Sequence, residues 1–126
     1  MANPNIVNVT SILGKTAYLT PSDTAANVLL ANAAASGNVL KINQIVAANV
    51  DGTNAVDTTV AINTAAAGGG TSYPVVSTVS VPADATLIVA DKTTAIYLEE
   101  DKSIVVTSGT ASKIAYTISY EIISSS

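Results

Sequence analysis

Near the C-terminus, Ile114, Tyr116, Ile118, Tyr120 and Ile122 alternate without a break with Ala115, Thr117, Ser119 and Glu121. A period of two puts the large side chains on one face of a strand, whereas a helix would scatter them around its circumference. This stretch predicts a half-buried β-strand. A strand is not stable alone, so the rest of the chain must supply the sheets around it.

Other segments repeat the pattern. Val56, Thr58, Val60 and Ile62 alternate with Asp57, Thr59 and Ala61. Val75, Ser77, Val79 and Val81 alternate with Val76, Thr78 and Ser80. The apolar bursts at 87–89, 96–98 and 104–106 read as short strands. The longer run 39–50 changes parity near Gln44, which predicts a bulge or bend there. Residues 6–13 and 16–20 read as two weaker strands. Turn residues fall between these runs: Ser36-Gly37-Asn38, Asp51-Gly52, Gly68-Gly69-Gly70, Pro82-Ala83-Asp84, Glu100-Asp101-Lys102 and Ser108-Gly109. Strands at this spacing predict an all-β, single-domain antiparallel β-sandwich over residues 1–126, Ig-like or jelly-roll, with about eight or nine strands. The pattern does not fix their connectivity.

Two segments read less directly. Residues 22–37 could form a helix capped by Ser22 and Gly37. Asn27, Val28 and Asn32 are poor helix formers, and Glu and Lys are absent, which favours a short strand at 27–31 followed by a loop. The tract 65–70, three Ala then three Gly, reads as a mobile loop between strands.

The residue inventory narrows the function. The chain has no His and no Cys, and all five of its basic residues are Lys. The usual general base, thiol nucleophile, transition-metal ligands and phosphate fork are missing together. A Ser nucleophile would have only Lys as a base, and Lys102 and Lys113, beside Ser103 and Ser112, fall near turns where they would be solvated and protonated. Gly68–Gly70 is followed by no Lys-Ser/Thr and no helix, so it is no phosphate loop. Asp51, Asn54 and Asp57 give too few oxygens for calcium, and the bland reading is a hairpin in which Asp51 and Asn54 bond their own turn. Glu99-Glu100-Asp101 reads as a solvated turn, because adjacent strand residues point to opposite faces. A non-enzyme with no catalytic, cofactor or metal residues is expected.

Charged residues make up 11% of the chain, with a net charge of −4. The five Lys are scattered, so neither nucleic acid nor an anionic membrane surface is an expected partner. No run approaches the roughly 18 apolar residues that span a bilayer. Asn8-Val9-Thr10 matches a glycosylation triplet by chance in the absence of a secretory signal. A surface built from 29 Ser and Thr and few charges fits a subunit packed in an assembly better than a free monomer. Parity places Tyr116 and Tyr120 in the core with wet hydroxyl edges. Tyr73 and Tyr97, with Glu99 and Glu100, are the candidate interface residues.

The opening Asn3-Pro4-Asn5-Ile6-Val7-Asn8-Val9-Thr10-Ser11-Ile12, followed by Gly14-Lys15-Thr16, resembles small virion structural proteins of marine tailed phages of the cyanophage type. Asn49-Val50-Asp51-Gly52-Thr53-Asn54, Val81-Pro82-Ala83-Asp84-Ala85-Thr86-Leu87, Ile96-Tyr97-Leu98-Glu99-Glu100 and Ser119-Tyr120-Glu121-Ile122 extend the resemblance over most of the chain. Asp101 departs from it where Gly-Asp in a tighter turn is expected, as does the long 65–70 tract. The resemblance implies a virion component, homo-oligomeric and in contact with the major capsid protein or other virion proteins. A capsid decoration or cement subunit is the preferred expectation. A tail, neck or fibre subunit and a host-glycan-binding adhesin are the alternatives.

Overall fold

The structure is a computed structural model that describes residues 11–93 and 96–124. Among these the chain forms nine strands and no helix. They are β1 (Ser11–Leu19), β2 (Asn27–Asn32), β3 (Asn38–Asn49), β4 (Val56–Asn63), β5 (Ser72–Val81), β6 (Thr86–Ala90), β7 (Ile96–Leu98), β8 (Lys102–Ser108) and β9 (Ile114–Ser124). The expected strand at 27–31 is β2, with no helix in 22–37. The 16–20 strand and the last three residues of 6–13 merge into β1; residues 6–10, residues 3–10 of the resemblance's opening and the glycosylation triplet lie outside the described residues.

Every pairing is antiparallel. A five-stranded sheet runs β1-β9-β3-β6, with β7 also on β3, and a four-stranded sheet runs β2-β8-β4-β5. The two halves of the chain pair as one long hairpin: β4 with β5, β3 with β6 and β7, β2 with β8, β1 with β9. Successive pairs alternate between the sheets. This rolled hairpin is jelly-roll topology and not Ig-like, with β6 and β7 sharing one strand position.

The core lies between the sheets. Leu40, Ile42, Ile45 and Ala47 of β3 and Ile114, Tyr116 and Ile118 of β9 come from one side. Val56 and Val60 of β4 and Ile104 and Val106 of β8 come from the other. Fully burying such side chains contributes about 1.5–3 kcal/mol each. Tyr116 is fully buried, and its hydroxyl is not wet. It donates to the Thr107 carbonyl at 2.9 Å and pairs with the Thr58 hydroxyl of the opposite sheet. Burial pushes the Tyr116 phenol above its ordinary pKa, against a smaller opposing effect from Thr58.

The parity slip in β3 is a break in register against β9 between Ile42 and Gln44. β5 departs from expectation. Its pairing with β4 slips twice, and Thr78 adopts φ 51° with its N–H donating to Thr59 Oγ1 at 2.9 Å. These bulges reverse the strand's parity, so Val76 packs against the core while Val75 is exposed, contrary to a simple alternation.

Three buried Asn residues end β2, β3 and β4 and tie the loops that follow. Asn32 Nδ2 donates to the carbonyls of Asn38 and Leu98, both at 3.0 Å, and its Oδ1 accepts from Ser36 Oγ. Asn49 Nδ2 donates to the carbonyls of Asn54 and Val81, and its Oδ1 accepts from Asp51 N–H at 2.8 Å. Asn63 Oδ1 accepts from the N–H groups of Ala65 and Gly70, and its Nδ2 donates to Gly70 O and Ser72 Oγ. The 65–70 tract is thus a turn whose two ends are tied by Asn63. It lies over β8, with Ser103 Oγ donating to Ala65 O at 2.8 Å. At Gly70 a Cβ would fall 2.3 Å from Thr64 Oγ1, so the turn closes only without a side chain there.

The Asp51 turn bonds itself as expected: its Oδ1 accepts from Thr53 N–H at 2.9 Å and Asn54 N–H at 3.1 Å. Those two backbone bonds, the first the larger, hold the Asp51 carboxyl below the usual range. It is not a hairpin, however, because β3 and β4 belong to different sheets.

Candidate interaction surface

The core fixes which residues of the five-stranded sheet face outward. Because Tyr116 and Ile118 are buried, Thr117, Ser119 and Glu121 lie on the outer face, and strand register extends them into rows. One row runs Tyr18–Thr117–Val46–Ile88, the next Thr16–Ser119–Gln44, and the third Gly14–Glu121–Lys41–Tyr97. Tyr18 is 80% exposed, Ile88 58% and Tyr97 43%. Lys41 and Glu121 are the only charged residues in these rows, directly opposite one another. Asn43 Nδ2 donates to Glu121 Oε1 at 3.2 Å. The face presents aromatic, aliphatic, hydroxyl and amide groups with almost no charge, which suits contact by complementarity.

On the side away from β9, β3 passes from β6 to β7. Ile45 pairs with Ala90 and Ile42 with Ile96, so on that side Asn43 and Gln44 face no partner strand among the described residues. A recess of about 540 Å³ opens there, lined by Asn43, Gln44, Asp91, Lys92, Thr93 and Ser119. Asp91 accepts from the hydroxyl and the N–H of Thr93, which hold its carboxyl below the usual range.

The four candidate interface residues do not form one surface. Tyr97 lies on β7 in the outer face, with Glu99 exposed just beyond it and Glu100 half-buried in the following turn. Tyr73, 62% exposed, sits on β5 at the margin of the other sheet, opposite Ile62. Sequence reasoning missed Tyr18 and Ile88. A signal existed for Tyr18: Ala17 and Leu19 flank it and pack against the core, so it must face out. In the turn after β7, Asp101 itself takes the left-handed conformation, φ 59°, that a Gly would adopt freely.

No family model matches the chain, and no curated protein matches it. Among solved structures, it is similar to a chain of the Bacillus endospore appendages, described as a novel family of disulfide-linked pili. The identity is 16%, over 90% of this chain and 88% of that one, with a TM-score of 0.47. This chain contains no Cys.

Proposed function

We propose that this protein is a non-enzymatic structural subunit of a phage virion, a decoration or cement protein seated on the capsid. The observation that carries the reading is the outer face of the five-stranded sheet. It leaves Tyr18, Ile88 and Tyr97 exposed on a face whose three rows hold one Lys and one Glu. Such a face carries few charges to desolvate, so its apolar and aromatic groups gain from burial, and complementary contacts repeated around a symmetric particle add to that. The sequence resemblance to virion proteins supports the same reading. Its partners are then the major capsid protein or other virion proteins and further copies of itself. Loss of the protein lowers capsid resistance to heat while adsorption to cells stays intact. Reduced adsorption with unchanged capsid stability sinks the cement role in favour of a tail or fibre subunit.

The recess beside β3 favours a second reading, a host-glycan-binding adhesin. Its lining residues carry amides, hydroxyls, a carboxylate and an ammonium, the kinds of group that bind sugar hydroxyls. A glycan array on the purified protein decides it: a signal lost on Gln44→Ala supports the adhesin, and a blank array removes it.

A further inference from the structure

The outer face of the five-stranded sheet is complementary to itself. Across the strands its rows read Tyr18–Thr117–Val46–Ile88 and Gly14–Glu121–Lys41–Tyr97. Exchanging β1 with the β6/β7 position, and β9 with β3, reverses each row onto itself. Glu121 then falls on Lys41, Gly14 on Tyr97, and Tyr18 on Ile88. Opposite charges meet, a residue without a side chain meets an aromatic ring, and an exposed ring meets an exposed aliphatic chain. A Cβ at Gly14 would find no atom within 4 Å, so the space over it is open.

This exchange is what two copies undergo when they pack face to face about a two-fold axis that runs along the strands, between β3 and β9. An axis running across the strands, at the level of Ser119 and Gln44, fits worse. It sets Lys41 on Val46 and Glu121 on Thr117, so neither charge finds its opposite on the other copy. Sheets packed in this way cross at about 30°. The pairs beside the axis, Glu121 with Lys41 and Thr117 with Val46, stay in contact, and those at the margins shift by about one residue. Four strand positions about 4.8 Å apart, and residues 115–121 of β9 at about 3.3 Å each, give roughly 440 Å² of face per copy. Two copies cover about 900 Å² together, the size of a weak, reversible contact.

We infer that the occupant of this face is a second copy of the chain, held about that axis as a two-fold dimer. This deepens the structural-subunit reading by naming the neighbour on the face, and rests on that reading for its place on a particle. The contact is weak between free copies and gains strength where copies are already held side by side.

Charge exchange separates contacts between copies from contacts within one. Lys41→Glu sets acid on acid across the axis, and Glu121→Lys sets base on base. In sedimentation equilibrium each variant alone is expected to dimerise at least about tenfold more weakly than the wild type. Mixed in equal amounts, the two restore opposite charges between copies and nowhere else, because within each chain positions 41 and 121 remain alike. The mixture is expected to associate at least as tightly as the wild type. Gly14→Leu gives a steric reading: the added side chain meets nothing in the single chain and is expected to weaken the dimer. Circular dichroism of each variant checks that the β-fold is intact. A wild type that keeps the 12.6 kDa chain mass at about 1 mM, a weak-affinity concentration, overturns the inference. So does a mixture that associates no better than its separate variants, or a folded Gly14→Leu that dimerises like the wild type. A dimer in solution with no copy on virions removes the virion reading and leaves the dimer standing. A monomer in solution whose copies on virions set this face against the capsid protein does the reverse.

Discussion

Asn32, Asn49 and Asn63 show how single side chains set loops that the sequence pattern leaves open. Each amide satisfies backbone groups that a buried strand end would otherwise strand, and each unmade bond there costs about 1–3 kcal/mol. Asn63→Ala removes the acceptor for Ala65 and Gly70 N–H and is expected to destabilise the fold by about 2–4 kcal/mol in urea denaturation. The 65–70 turn should then become open to proteolysis. Ala35 makes the opposite case. It holds φ 57°, a conformation that disfavours a Cβ, so Ala35→Gly is expected to raise stability by about 0.5–1 kcal/mol. Tyr116 gives a pH signature. Its phenol pKa is raised in the folded state, so the neutral form is favoured there; the stabilisation is complete below pH 10 and is lost as pH rises through the folded value. The melting temperature of the wild type should fall above pH 10, and Tyr116→Phe should flatten that fall. The distant partners could not be read in the sequence: Leu98 lies 66 residues from Asn32, Val81 32 from Asn49 and Thr58 58 from Tyr116.

At the scale of the element, period two was a sound guide wherever strands run without bulges. In β9, Ile118 is fully buried and Thr117 lies on the outer face. Ile118→Ala should cost about 2–5 kcal/mol and Thr117→Ala within about 0.5, measured as shifts in the denaturation midpoint. The slip near Gln44 was also legible, since an extra residue must change which side is apolar. β5 was not, because every residue of 75–81 is Val, Ser or Thr, and a pattern of near-equals does not reveal a shift in parity. Candidate surface residues suffered likewise. Tyr97 was legible because Ile96 and Leu98 claim the inside. The exposure of Ile88 depends on β6 being a sheet edge, which is a fact of pairing and not of local sequence.

Across the whole molecule, the two-sheet sandwich followed from strand number and spacing, but the jelly-roll order did not. Its pairings join β1 to β9 and β2 to β8 across most of the chain, and no local signal encodes them. That order nevertheless produces the surface on which the proposed function rests: it sets β3 and β9 within one sheet, their alternate residues outward, with no strand beyond β1 among the described residues. The account predicts that this face is where the molecule meets its neighbours on a particle. A reconstruction of the purified virion, at a resolution that separates strands, tests this most directly. The account predicts nine-stranded density on the capsid exterior with the β1-β9-β3-β6/β7 face against a neighbouring subunit. Particles that contain no such density, on head or tail, would contradict it.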